Sequence, residues 1–77
     1  MADFILYGTE GCHLCEDAEQ LMMATGIAFE TRDIIHDDLA HQRYAIRIPV
    51  LVHQQTEMEL NWPFDSAQLQ FFIARTH

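Results

Sequence analysis

The sequence has no lysine, only two cysteines, three glycines and two prolines, and its longest uninterrupted apolar stretch is the five residues from Ile48 to Val52. Without lysine, positive charge rests on four arginines against twelve acids, a formal net charge of −8. Such a surface has little with which to neutralise phosphates, so nucleic acid and anionic membrane are not expected partners. An apolar stretch of that length falls far short of the roughly 20 residues that cross a bilayer. Apolar residues at 49% and charged residues at 21% match an ordinary globular chain and not a disordered one. The two cysteines both lie in Cys12-His13-Leu14-Cys15, so they cannot staple distant segments. In the chain-entropy model a four-residue loop contributes about 2 kcal/mol against about 4.7 for a loop of about 100 residues, and stability alone does not explain such a bond. No basic stretch precedes the apolar start, the first arginine being Arg32, and no small-residue cleavage site follows it. A cytoplasmic, reducing setting is the expectation. The 77 residues leave room for a single domain spanning 1–77.

Phe4, Ile5, Leu6 and Tyr7 read as a strand buried on both faces, ended by Gly8 and the turn-like Thr9-Glu10-Gly11. Leu14, Ala18, Leu21, Met22 and Thr25 then recur at helical spacing, with Gly26 suited to the residue after the helix. Ile27, Phe29 and Thr31 alternate with Ala28, Glu30 and Arg32 as a half-exposed strand, and Asp37 or Asp38 caps a short helix running to about Tyr44. Val50-Leu51-Val52 forms a third strand and Glu57 to Leu60 a fourth, joined by a turn from His53 to Thr56 that contains no glycine. Asp65 and Gln68 spell a capping box for a last helix, with Phe64 stapled on Leu69 and a core face of Leu69, Phe72 and Ile73. Phe71 and Arg75 turn partly outward, yet a chain this short needs Trp62, Phe64 and Phe71 chiefly for its core. The order is β-α-β-α-β-β-α: an α/β chain with three helices and a four-stranded mixed sheet, whose first three elements fit a parallel βαβ unit.

The chemistry resides in the cysteines. Spaced at i and i+3 around a helix start, their Cα atoms come within bridging reach, and strand, turn and helix are the setting of a redox Cys-x-x-Cys. Cys12 precedes the helix, where free N–H groups can receive a thiolate, and is the expected nucleophile. Cys15, one turn inside, is shielded and resolves the mixed disulfide. A helix terminus contributes about 0.3 to 1 kcal/mol and a pKa unit is 1.36 kcal/mol, so activation is modest. Glu10, Glu16 and Asp17 oppose it, and a protonated His13 helps it.

The chain resembles a small glutaredoxin-type member of the thioredoxin superfamily over its whole length. The likeness rests on the strand ending in Gly8 followed by Cys12-His13-Leu14-Cys15, on Tyr44-Ala45-Ile46-Arg47-Ile48-Pro49-Val50, and on the aspartate-capped helix after Trp62-Pro63-Phe64. It implies a thioredoxin-like fold and a thiol–disulfide oxidoreductase. It also implies a cis Pro49 beside the dithiol, with Ile48 pairing through its backbone with an incoming thiol; Trp62-Pro63 is expected to be trans. His13, Leu14, Ile48, Pro49 and Arg47 are the expected substrate contacts. Where glutaredoxins usually carry Pro-Tyr between the cysteines, an upstream basic residue and a Gly-Gly pair, this chain has His13-Leu14, Thr9-Glu10 and Asn61-Trp62-Pro63. Glutathione is the candidate co-substrate, with Arg47 as counter-charge and the N-terminus of the last helix as a carboxylate site. No cofactor is expected to be tightly bound. The partners implied are protein or small-molecule disulfides, with glutathione or a thioredoxin-reductase-type enzyme as reductant, acting on a monomer.

Two other classes fit the same cysteines. One is a metal or iron–sulfur carrier, though the chain has no second cysteine pair and no His-x-x-x-His beside His13, His36, His41, His53 and His77. The other is a glutaredoxin-shaped interaction module with an idle dithiol. The remaining histidines read as solvated, Met22, Met23 and Met58 as core or surface fillers, and the acid excess as a solubilising surface.

Overall fold

A computed structural model describes residues 2–76. Strand β1 (Phe4–Gly8) leads into helix α1 (His13–Thr25), strand β2 (Phe29–Asp33), a 3₁₀ turn (Ile34–His36) and helix α2 (Asp38–Tyr44). Strands β3 (Val50–His53) and β4 (Glu59–Asn61) and helix α3 (Ser66–Thr76) complete the order. The sheet runs β2-β1-β3-β4, with β1 parallel to β2 and antiparallel to β3, and β3 antiparallel to β4. This is the thioredoxin-like arrangement. The 3₁₀ turn is an addition to the expected order: the Asp33 carboxylate accepts the Ile35 N–H at 3.0 Å and caps a segment too short to show a period.

Strand alternation builds two cores. Phe4, Leu6 and Leu51 bury against Ala18 and Met22 of α1 and Leu69, Phe72 and Ile73 of α3. On the other face Tyr7, Val50 and Val52 pack with Ile34, Ala40 and Tyr44. Burying a side chain such as Met22 or Leu69 contributes about 1.5–3 kcal/mol, and both are fully enclosed. Helix α1 ends at Gly26, whose φ of 74° lets its N–H bond the Met23 carbonyl at 3.2 Å. Helix α3 starts with a reciprocal capping box. Asp65 Oδ1 accepts the Gln68 N–H at 2.8 Å, and Gln68 Oε1 accepts the Asp65 N–H at 3.1 Å.

Five expectations change, the first being the fourth strand, which starts at Glu59 and ends at Asn61 because Glu57 still belongs to the turn. Strand β2 starts at Phe29, two residues later than the alternation suggests, because its ladder with β1 begins at Phe4↔Phe29. Phe71 is 65% exposed, with the Arg75 guanidinium 5.7 Å from its ring centre, so it is not core; Phe64 is buried and Trp62 packs edge-on against it. His53 is only 3% exposed, because as the last residue of β3 it lies against the Phe4 ring and its Nδ1 meets Thr56 Oγ1 at 2.9 Å. His77 lies outside the described residues. The Ile48–Pro49 bond is cis, and so is Trp62–Pro63. In the β3–β4 turn, Glu57 takes the positive φ of 60° that a glycine would otherwise supply. No helix among the described residues is long and apolar enough to cross a membrane.

Candidate active site

The dithiol sits where β1 hands over to α1. Thr9, Glu10, Gly11 and Cys12 form a tight turn in which the Cys12 N–H donates to the Thr9 carbonyl at 3.3 Å. Its third residue, Gly11, has a φ of 82°, which glycine adopts without a Cβ clash. Cys12 leaves the turn in an extended conformation and is the N-cap of α1. Its Sγ accepts the Cys15 N–H at 3.2 Å. A thiolate there would receive a charge-assisted hydrogen bond together with the positive end of the helix dipole. Cys12 and Cys15 are joined as a disulfide, their Cα atoms 5.2 Å apart. Cys12 is half-buried and Cys15 is 9% exposed, so one sulfur lies nearer solvent than the other.

Gly8 makes room for this pair. A Cβ on Gly8 would stand 2.9 Å from Cys15 Sγ and 3.0 Å from Cys15 Cβ, closer than real contacts allow. The sequence marks Gly8 only as the end of a strand. Its parity with Phe4 and Leu6, which face α1, is the signal that it meets the helix. The antiparallel register pairs Tyr7 with Val50, so one further step sets Gly8 across from Pro49. The buried cis Pro49 and the dithiol therefore share one end of the sheet.

The other expected residues divide. Ile48 is half-buried beside the α2 core, and Leu14 is 49% exposed on the first turn of α1. The His13 ring stands in solvent with Nδ1 3.4 Å from Glu16 Oε2, an exposed pair worth little. Arg47 is turned toward β4: its guanidinium lies 3.2 Å from Glu59 Oε1 and donates to Asn61 Oδ1 at 3.2 Å, 5.1 Å from the Tyr44 ring centre. The N-terminus of α3 is closed by its own Asp65. Ile46, just ahead of Arg47, is 98% exposed.

On the β2 side a cleft of about 220 Å³ is lined by Leu6, Gly8 and Cys15 together with Glu10, Glu19, Thr31 and Arg32. Asp33 borders it. The carboxylate accepts from Ile35 N–H, from Thr9 Oγ1 at 3.0 Å and from Glu10 N–H at 3.4 Å. These bonds, the Ile35 one foremost, hold its carboxyl below the usual carboxylate range. Nothing in the sequence signals this tie, whose ends are 24 residues apart. Among the described residues no group of three or more His, Cys, Asp or Glu side chains is arranged to hold a metal ion.

A disulfide-forming Cys-x-x-Cys pair at this place in a thioredoxin-like fold carries thiol–disulfide exchange. Comparison with known proteins agrees with the geometry. The chain is similar over 94% of its length to the X-ray structure of target protein XcR50 from X. campestris, 33% identical with a TM-score of 0.84 and 96% of that chain covered. It is similar to protein Ne2328 from Nitrosomonas europaea, 27% identical with a TM-score of 0.77, over 91% of this chain and 88% of that one. A glutaredoxin from Archaeoglobus fulgidus shares the fold at 19% identity, with a TM-score of 0.70 over 95% and 87% of the two chains. No curated protein matches the sequence. The model of the family described as Glutaredoxin-like domain (DUF836) matches residues 3–74, and the chain belongs to this glutaredoxin-like family.

Proposed function

We propose that Cys12 is the attacking sulfur and Cys15 the resolving sulfur of this glutaredoxin-like thiol–disulfide oxidoreductase. The observation that carries the assignment is the asymmetry of the pair: Cys12 caps α1 and is half-buried, whereas Cys15 lies beneath it against Gly8. In the reduced protein the Cys12 thiolate attacks one sulfur of a disulfide R–S–S–R. A bond forms between Cys12 Sγ and that sulfur, the sulfur–sulfur bond of the substrate breaks, and the departing R–S⁻ takes a proton from water. The Cys15 thiolate then displaces the second R–S⁻ and closes the Cys12–Cys15 bond. The dithiol has lost two electrons and the substrate has become two thiols.

The register supports Ile48 and Pro49 as the platform beside the incoming chain, and the exposure of Leu14 and His13 next to Cys12 supports them as further contacts. Protein or small-molecule disulfides are the substrates, and no resident cofactor is needed because the sulfurs carry the electrons. Reducing equivalents come from glutathione or from a thioredoxin-reductase-type enzyme. Two features that would greet anionic glutathione are committed elsewhere: Arg47 is compensated by Glu59, and the N-terminus of α3 by Asp65. That weighs toward the reductase. The chain acts as one domain, a monomer, in the reducing cytoplasm, where an exchanging dithiol is regenerated.

The test is trapping. With a disulfide substrate, Cys15→Ser accumulates a mixed disulfide on Cys12, seen as a mass increment that reductant removes, and Cys12→Ser accumulates none. If Cys15→Ser traps nothing, or Cys12→Ser traps equally, the assignment fails.

A further inference from the structure

A Cβ placed on Gly11 would meet no atom within 4 Å, so this corner of the turn that presents Cys12 faces open space. In the oxidised protein the disulfide to Cys15 holds Cys12 in place. Reduction removes that bond and leaves Cys12 held on one side by α1, where its carbonyl accepts the Glu16 N–H at 3.1 Å, and on the other by the turn. Its first two residues are gripped by one side chain from another strand: Asp33 accepts from Thr9 Oγ1 at 3.0 Å and from Glu10 N–H at 3.4 Å. Asp33 is in turn fixed by the β1–β2 ladder, where it pairs with Gly8, and by the Ile35 N–H at 3.0 Å.

We propose that Asp33 is a positioning residue for the dithiol: through Thr9 and Glu10 it keeps the sulfur of reduced Cys12 over the N-terminus of α1. The proposal rests on the exchange reading above and deepens it. The carboxylate touches neither the sulfurs nor the substrate. It acts by keeping the Cys15 N–H within reach of a sulfur that carries negative charge only in the reduced state.

Two effects of removing Asp33 have opposite signs, and this makes the idea testable. As a negative charge near the dithiol, Asp33 disfavours the Cys12 thiolate, so loss of the charge alone lowers the Cys12 pKa. As an anchor, it favours the thiolate, so loss of the tie raises that pKa. A residue that merely adds stability moves it in neither direction.

The reduced protein is titrated by the pH dependence of iodoacetamide alkylation at Cys12, located by mass spectrometry, in three variants whose folding is confirmed by circular dichroism. Asp33→Ala removes tie and charge. Thr9→Val removes the strongest bond of the tie and keeps the charge, and it carries the test alone if Asp33→Ala does not fold. In Thr9→Val the Cys12 pKa rises by about half a pH unit and alkylation at neutral pH slows about threefold, and in Asp33→Ala it rises by less, because loss of the charge offsets part of the effect. Asp33→Asn removes the charge and, with its NH2 in place of Oδ2, the weaker Glu10 bond, but keeps an oxygen at Oδ1, which receives both Thr9 and Ile35, and its Cys12 pKa stays level or falls. If Thr9→Val leaves the Cys12 pKa unchanged or lower, or if Asp33→Asn raises it as much as Asp33→Ala does, Asp33 is not an anchor. Failure of Cys12 to react in the unaltered protein would instead sink the exchange reading.

Discussion

Replacing Gly8 by alanine asks directly whether strand and dithiol are packed as closely as the structure has them. The added methyl carbon would lie 2.9 Å from Cys15 Sγ and 3.0 Å from Cys15 Cβ. Ordinary contacts begin at about 3.5 Å, so the start of α1 must move outward by roughly 0.5 Å or more. Cys15 Cβ moves only with its backbone, and the helix cannot shift without disturbing Ala18 and Met22 in the core. Overpacking of this kind costs about 1–3 kcal/mol, and the lower entropy of an unfolded chain with alanine returns about 0.4–1 kcal/mol. The net loss is about 1–2 kcal/mol, read in urea unfolding of the reduced protein, or a fall in Tm of roughly 5–10 °C. Disulfide exchange should slow about tenfold, given that a misplacement of ~1 Å at reacting atoms can cost ~100-fold. A double-mutant cycle gives the cause. In a Cys15→Ala background the nearer clash is absent, so the penalty of Gly8→Ala should shrink by about 1 kcal/mol. Full stability and full rate in Gly8→Ala, or a penalty indifferent to Cys15, would refute the close approach.

Leu69→Ala should cost about 2–5 kcal/mol, because Leu69 is fully buried between α3 and the sheet and its truncation leaves a cavity; a loss below 1 kcal/mol in urea unfolding would mean that α3 is not docked there. Tyr44→Phe removes a buried hydroxyl that donates to Glu59 Oε2 at 3.0 Å and should cost about 1 kcal/mol. Burial, and then the Glu59 hydrogen bond, push the Tyr44 pKa up. With the folded value above the unfolded one, this contribution is whole below the unfolded value of about 10 and is lost as pH rises toward the folded one. The stability gap between the two proteins should therefore close at alkaline pH, and a gap that widens there contradicts the assigned bond.

Elements whose signals are local were legible in the sequence. The capping box of Asp65 and Gln68 needs only two residues three apart, and both of its hydrogen bonds form. Gly26 closes α1 and Asp37 caps α2 for the same reason. The Cys-x-x-Cys pair and its place at a helix start were equally readable, because strand, turn and cap are contiguous. What escaped depends on tertiary neighbours. The helical period turns Phe71 outward and Phe72 inward, as they stand, but the demand of a short chain for core aromatics pointed the other way for Phe71. His53 reads as a turn residue until β3 is laid against Phe4. Arg47 reads as a free cation until β4 brings Glu59 and Asn61 to it. The tie from Asp33 to Thr9 appears only once the β1–β2 register aligns Gly8 with Asp33.

The same distinction explains how the dithiol can change state without dismantling its support. Closing a four-residue loop stabilises a chain by about 2 kcal/mol at most, comparable to burying one of the side chains such as Met22 or Leu69. The disulfide therefore contributes little that the two cores do not already supply. What must persist on reduction is local: a strand that lets Cys15 lie against Gly8, a proline held across the register from it, and a turn anchored to β2. None of these contacts uses the sulfur–sulfur bond. A scaffold that borrowed its stability from that bond would loosen whenever it took up electrons, whereas these contacts are made by backbone and side-chain groups that reduction leaves unchanged.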